Sequence, residues 1–178
     1  MFVISTIVIY KSKYGSTKQY AEWIAEELNC KVLDAKNIGI SDILHYNTII
    51  YGGGLYAETI AGVTLLTKNR DKLKDKKLIV FTTGITPIDC RDYYDKLVIK
   101  KNFGSISLSD FKIYNFPGKM VTSELSFVHR TAIKTLKKIM SDKDNPTEME
   151  KLLIELCDAD GDFTDKRLIK ELVQYARS

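Results

Sequence analysis

Cysteine is scarce in this chain. Three residues of 178, Cys30, Cys90 and Cys157, lie far apart. They give no metal-ligand spacing and no even disulfide framework, a pattern that suits a reducing cytoplasm. Histidine is scarcer still. His45 and His129 stand alone, without partners at ligand or triad spacing, so no Ser/His/Asp arrangement can be drawn and each reads as a surface or structural residue. No apolar run approaches the ~18 residues of a membrane span. The opening stretch MFVISTIVIYKS lacks a basic start and a small-residue cleavage site, and is expected to be a strand rather than a secretion signal. Asp158 to Thr164 imitate a calcium loop without completing one. Counted from Asp158, Phe163 falls where glycine is needed and Ile169 where the closing Glu is needed; counted from Asp160, Glu171 closes the loop but Asp165 takes the glycine position. No metal site is expected.

Charge of either sign is not in large excess. The net charge is +4, which favours anionic partners only modestly. The densest cationic stretch, residues 68–77, has six cations against two acids and reads as a solvated helix end and turn, not a nucleic-acid site. The length supports one domain over 1–178 with a sizeable core.

What is present concentrates in residues 8–24, VIYKSKYGSTKQYAEWI. An apolar strand ends at Lys11. Ser12, Lys13, Tyr14, Gly15, Ser16 and Thr17 form a loop of hydroxyls and glycine, and a helical pattern follows with Tyr20, Ala21, Ile24 and Leu28 at helix spacing. The first turn of a helix has unpaired N–H groups and partial positive charge, so small hydroxyl residues there suit a phosphate. The loop lacks the Gly-Lys-Ser/Thr ending of a nucleotide-triphosphate loop and the spaced glycines of a dinucleotide fingerprint. A monophosphate held by hydroxyls and main chain remains, which suits the tail of flavin mononucleotide (FMN).

These residues resemble the flavodoxin signature, whose specified places are filled by Val8, Ile9, Tyr10, Ser12, Gly15, Thr17, Ala21 and Ile24. The resemblance implies an α/β, flavodoxin-like, doubly wound parallel sheet of five strands in the order 2-1-3-4-5, with FMN across the carboxyl ends of strands one, three and four. Apolar runs alternating with helical patterns agree. Strands are expected near Phe2–Tyr10, Lys31–Ala35, Asn47–Tyr51, Lys77–Thr83 and Phe111–Phe116. Helices are expected near Thr17–Leu28, Ala61–Lys74, Asp89–Phe103 and Thr164–Arg177, with Thr164 as N-cap and a short helix or turn at Ser41–Leu44. After strand three, Gly52, Gly53 and Gly54 allow positive φ and close backbone approach, and Leu55, Tyr56 and Ala57 follow, with Tyr56 able to lie over a flat ring. In flavodoxins this loop flips a peptide as the flavin is protonated, which tunes the potential. Thr82, Thr83 and Gly84 after strand four are expected at the pyrimidine side of the ring. The stacking Tyr common in the third loop of short-chain flavodoxins is not evident.

Residues 117–163 form an insertion that a plain flavodoxin does not need. Leu125, Val128, Ala132, Ile133, Leu136, Ile139 and Met140 fall at helix spacing, with Arg130, Lys134, Lys137 and Lys138 largely opposite. Such a helix packs on its own domain or lies on an anionic membrane. Phe116-Pro117-Gly118-Lys119-Met120 and Ser123 to Phe127 resemble the branch containing the menaquinone-dependent protoporphyrinogen oxidases. The resemblance implies an FMN-dependent electron-transfer protein with a redox partner protein, or an oxidoreductase acting on a porphyrinogen or quinone in heme biosynthesis. A third reading is a cofactor-free interaction scaffold. The expected place is the cytoplasm, with the helix at about 125–140 as a peripheral membrane contact.

Overall fold

A computed structural model describes residues 5–106 and 108–178 of the chain. β1 (Thr6–Lys11), β2 (Lys31–Asp34), β3 (Thr48–Tyr56), β5 (Lys77–Gly84) and β6 (Phe111–Pro117) lie parallel in the order β2-β1-β3-β5-β6, as expected. β4 (Thr59–Ile60) adds an antiparallel hairpin to the end of β3. Phe2 to Ile4, assigned to the first strand from sequence, lie outside the described residues.

Both faces of this sheet are covered, so its central strands are apolar throughout rather than alternating. Ile7, Ile9, Ile49, Tyr51, Leu78 and Val80 pack to one side, against Leu66, Leu73, Tyr94 and Val98. Val8, Ile50, Ile79 and Phe81 face the other, against α1 (Ser16–Leu28) through Tyr20, Ala21 and Ile24, and against α6 (Lys170–Arg177) through Leu172 and Val173. Successive residues along each strand thus feed opposite cores.

Three expected helices take other forms. The segment 61–74 is not one helix: α2 is Thr64–Thr67 and a 3-10 turn follows at Arg70–Leu73. The Asn69 side-chain amide donates to the Leu65 carbonyl (2.9 Å), the acceptor its own backbone N–H would use in a continuing α-helix, and that N–H turns to Leu66 instead. Val63, Leu66 and Leu73 are nevertheless buried as the spacing implied. The segment 89–103 opens as a π-helical turn, Asp92–Val98, before α3 (Ile99–Phe103). The closing helix is capped not by Thr164 but by Asp165, whose carboxylate accepts from the Arg167 N–H across a 3-10 turn at Lys166–Ile169. Thr164 instead donates through its N–H and its hydroxyl to Asp162.

The insertion is tied at its base. β7 (Lys119–Met120) and β8 (Gly161–Asp162) form a two-stranded ribbon. Beside it the Tyr20 hydroxyl donates to the Pro117 carbonyl and accepts from the Asp165 N–H, both at 2.9 Å. Burial pushes this phenol up to about 12, so it stays a neutral donor and acceptor at any physiological pH. Between the ribbon strands run α4 (Phe127–Ser141) and α5 (Glu148–Leu156), the latter opened by a reciprocal Thr147–Glu150 cap. Among the described residues no helix is long and apolar enough to cross a membrane.

Candidate functional site

The loop after β1 is shaped by its own side chain. Ser12 Oγ accepts from the Gly15 N–H (3.0 Å), and Gly15 turns the chain at φ +94° into α1. That left-handed conformation favours glycine. Gly15 is the N-cap and offers no side-chain cap, and the first turn holds no acid. The first-turn amides therefore remain free to meet an anion. Thr17, buried, joins this loop to the one after β5 through a hydroxyl pair, Thr17 Oγ1 to Thr83 Oγ1 at 2.8 Å. Gly118 closes the cradle from the far side. Its N–H donates to the Gly84 carbonyl (2.7 Å), and a side-chain carbon on it would stand 3.3 Å from both Ser16 Oγ and Gly84 N.

The loop after β3 is built differently from the expectation. Gly52, Gly53 and Gly54 lie in β3 itself, and none has a positive φ. They serve close approach instead: a side-chain carbon on Gly52 would stand 2.1 Å from the Phe81 ring, and one on Gly53 2.5 Å from Ile60. The positive φ values fall three positions beyond Gly54, at Ala57 (46°) and Glu58 (60°), the two turn residues of the β3–β4 hairpin. That turn class wants Asn or Gly at both positions, so the backbone here is strained. Leu55 packs over Gly84, and Tyr56 is half-buried beside it.

The insertion supplies the third wall. Lys119, Met120, Leu125, His129, Ala132, Ile133 and Leu136 all reach the same cavity. Tyr14 holds α4 there: its hydroxyl lies 2.6 Å from His129 Nδ1 and accepts from the Ser126 N–H at 3.3 Å. Burial, together with the Lys13 charge, lowers the His129 pKa from 6.5, so the ring is neutral at pH 7 and can accept the Tyr14 proton. Burial raises the Tyr14 pKa, but hydrogen bonds from Ser126 and the Lys13 charge outweigh it and leave the phenol below its ordinary value. Tyr56 completes the aromatic cluster, its ring centroid 5.4 Å from His129 and 6.4 Å from Tyr14.

These walls enclose a cavity of about 380 Å³ at the carboxyl ends of β1, β3 and β5. Ten of the residues expected there from sequence line it: Ser12, Tyr14, Ser16, Thr17, Gly54, Leu55, Tyr56, Ala57, Thr83 and Gly84. Four do not. Gly15 shapes the loop from behind, and Gly53 packs under the hairpin. Thr82 is fully buried in the sheet, donating to Asn115 Oδ1 at 2.7 Å. Lys13 lies outside, its ammonium 5.6 Å from the Tyr14 ring centroid.

Sequence reasoning missed His129, Lys119 and Tyr93. The π-helical turn adds a residue per turn and brings Tyr93 and Tyr94 inward together. Tyr94 donates to the Thr86 carbonyl (2.8 Å), and Tyr93 lines the cavity, so an aromatic does stand behind the third loop.

The donor set fits FMN. Hydroxyls and helix amides gather at one end, and aromatic and aliphatic side chains line the rest. The volume falls within the ~300–1,000 Å³ of small-ligand sites.

The family model described as a flavodoxin domain matches residues 7–147. No curated protein matches the chain. Among solved structures, it is similar to a WrbA-like flavodoxin from Agrobacterium tumefaciens (16% identity, 97% of each chain covered, TM-score 0.47). It is similar too to the Trp repressor binding protein of Bacillus subtilis (14% identity, 65% of this chain and 88% of that one, TM-score 0.48). Flavodoxin 2 from Bacillus cereus also aligns (18% identity, 62% and 84% covered, TM-score 0.37). By the family match over most of its length, the chain belongs to the flavodoxin domain family, a family of FMN-binding flavoproteins.

Proposed function

We propose that this protein is a redox protein that holds FMN in the cavity above β1, β3 and β5 and exchanges electrons with a small molecule admitted beneath α4. Ser12, Ser16 and Thr17 would hold the phosphate, while Leu55, Tyr56, Ala57, Thr83, Gly84 and Tyr93 would hold the ring. The observation that carries this reading is the meeting of the hydroxyl cradle and the aromatic wall in one cavity. Bound FMN supplies two-electron acceptance with one- or two-electron release. The chain's own part is to anchor the phosphate, to keep water from the ring face and to leave one side open to a partner.

The enzyme form is favoured over a pure carrier by α4 and the turn that leads into it. Leu125, Ala132, Ile133 and Leu136 give the cavity an apolar flank that a protein-only electron carrier does not require. An apolar flank fits a porphyrinogen or quinone, in keeping with the likeness of Phe116 to Met120 to the protoporphyrinogen oxidase branch. A redox partner protein docking at the same edge is the alternative.

Purified protein should show flavin absorption bands. Anaerobic addition of porphyrinogen and a quinone analogue should then give porphyrin. Flavin bands without porphyrin formation would leave the carrier or another reductase. Colourless protein that also ignores added FMN would leave only the cofactor-free scaffold. Thr17→Glu, which sets a like charge at the phosphate, should abolish FMN retention.

A peripheral membrane contact is supported by the outer face of α4. Phe127 is 82% exposed, Val128 70% and Ile139 57%, with Lys134 and Lys138 alongside. Exposed apolar groups beside cations match an anionic bilayer surface. Co-sedimentation with anionic vesicles, absent with neutral ones and lost in Phe127→Ser, is the expected result.

A further inference from the structure

The loop before α1 contributes no cation to the cavity wall, since Lys13 does not line it and holds its ammonium 5.6 Å from the Tyr14 ring centroid. A cation nevertheless reaches it from elsewhere in the chain. Lys119 stands in β7, 108 positions beyond the end of β1 at Lys11, and is brought back by the Gly118–Gly84 backbone bond and by β7–β8 pairing. A side-chain carbon placed on Gly15 would lie 3.7 Å from Lys119 Cε and 3.8 Å from its Nζ, so the ammonium hangs over the turn that opens α1. It lines the cavity with Ser12, Ser16 and Thr17, and only 24% of its side chain is exposed. Among the described residues of the cavity wall it is the one lysine or arginine. Its ammonium donates to Glu124 at 3.2 Å, and Asp162 is its register partner across the ribbon.

We propose that Lys119 is a charged ligand of the cofactor phosphate, delivered by the insertion, with Glu124 as the carboxylate that competes with the phosphate for the ammonium. The inference rests on FMN occupying the site. Three features support it. The ammonium overlooks the helix start where the phosphate would sit. Partial burial weakens the screening that makes exposed charge pairs ineffective. Glu124, half-exposed on a short 3-10 turn, can be displaced from the ammonium at little cost to the core. The insertion would then couple cofactor retention to its own folding, because the residue that grips the phosphate belongs to the ribbon that closes it.

The test is flavin titration of the full chain, followed by flavin fluorescence, with FMN and riboflavin as paired probes. Wild-type protein should bind FMN more tightly than riboflavin. Lys119→Gln should weaken FMN by about ten- to a hundredfold, the range of a charge-assisted hydrogen bond, and leave riboflavin unchanged. Lys119→Arg should restore most of the loss. Glu124→Gln should tighten FMN severalfold. The FMN affinity of wild type should also fall more steeply with salt than that of Lys119→Gln. Equal FMN affinity in wild type and Lys119→Gln would overturn the proposal, and so would a parallel loss of riboflavin and FMN, which would mark a merely structural role. Wild-type protein that binds neither flavin, or both equally, would instead overturn the FMN reading on which the proposal rests.

Discussion

The Tyr14 hydroxyl lies 2.6 Å from His129 Nδ1, so the β1–α1 loop and α4 meet in one hydrogen bond between residues 115 positions apart. Ser126 reinforces the contact from the N-cap of α4, where its side chain also accepts from the His129 N–H. The junction adds to other anchors of α4, in which Arg130 donates to the Thr122 and Leu125 carbonyls and Lys137 pairs with Asp158; of the helix's own residues only Met140 is buried.

The junction should respond to pH. The folded pKa of His129 is lowered from 6.5, so the folded protein binds this proton less well than the unfolded chain. Stability from this group is therefore fully present above pH 6.5 and is lost as the pH falls below that value through the lowered folded one, where the ring takes on a charge that burial and the Lys13 ammonium oppose. Amide exchange across residues 127–141 should accelerate between pH 7 and pH 5 while the sheet strands stay protected. A uniform response of α4 and the strands would disprove the local junction.

Tyr14→Phe tests the same bond without titration. The loss should be about 1 kcal/mol, the worth of one neutral hydrogen bond, and should appear as faster exchange in α4 rather than as global unfolding. His129→Gln in the Tyr14→Phe background should add little, since the two residues act as one unit.

Ala57 and Glu58 carry left-handed backbone that neither side chain favours. Ala57→Gly should raise stability by about 0.5–1 kcal/mol, the left-handed cost relieved less the entropy glycine returns to the unfolded chain. For a chain of this size that is roughly 2–3 °C in Tm, measurable by thermal denaturation. A lower Tm would argue that the turn is unstrained.

Gly52→Ala should be severe. The new carbon would meet three atoms of the buried Phe81 ring at 2.1, 2.5 and 2.6 Å, in the middle of the sheet. Overpacking of this kind costs about 3 kcal/mol or more, visible as a loss of soluble protein or a fall in denaturant midpoint. Pairing it with Phe81→Leu, which shortens the obstructing side chain, should recover part of the loss.

The sheet was legible because continuous apolar strands separated by helical spacing admit few arrangements, and the β1–α1 loop because glycine and hydroxyls between a strand and a helical pattern mark a tight turn into a helix. Helix interiors were less so. Nothing in the apolar period of 61–74 reveals that the Asn69 side chain will take the Leu65 carbonyl, and nothing in 89–103 reveals that the helix opens with a π-helical turn. The glycines of β3 showed that backbone comes close there, yet their φ values depended on a hairpin formed only with Thr59 and Ile60. His129 and Lys119 were hidden for a different reason. Their role comes from contacts made across more than a hundred positions, and local spacing carries no trace of those.

The ribbon of β7 and β8 brings Met120 opposite Gly161, so the entrance and exit of the insert stand shoulder to shoulder. A segment stapled this way behaves as a cassette. Excising 121–160 and joining the stubs with a two-residue turn should leave the five-stranded body intact and open the cavity on that side. The same cassette, moved to a bare relative, would carry its apolar flank with it.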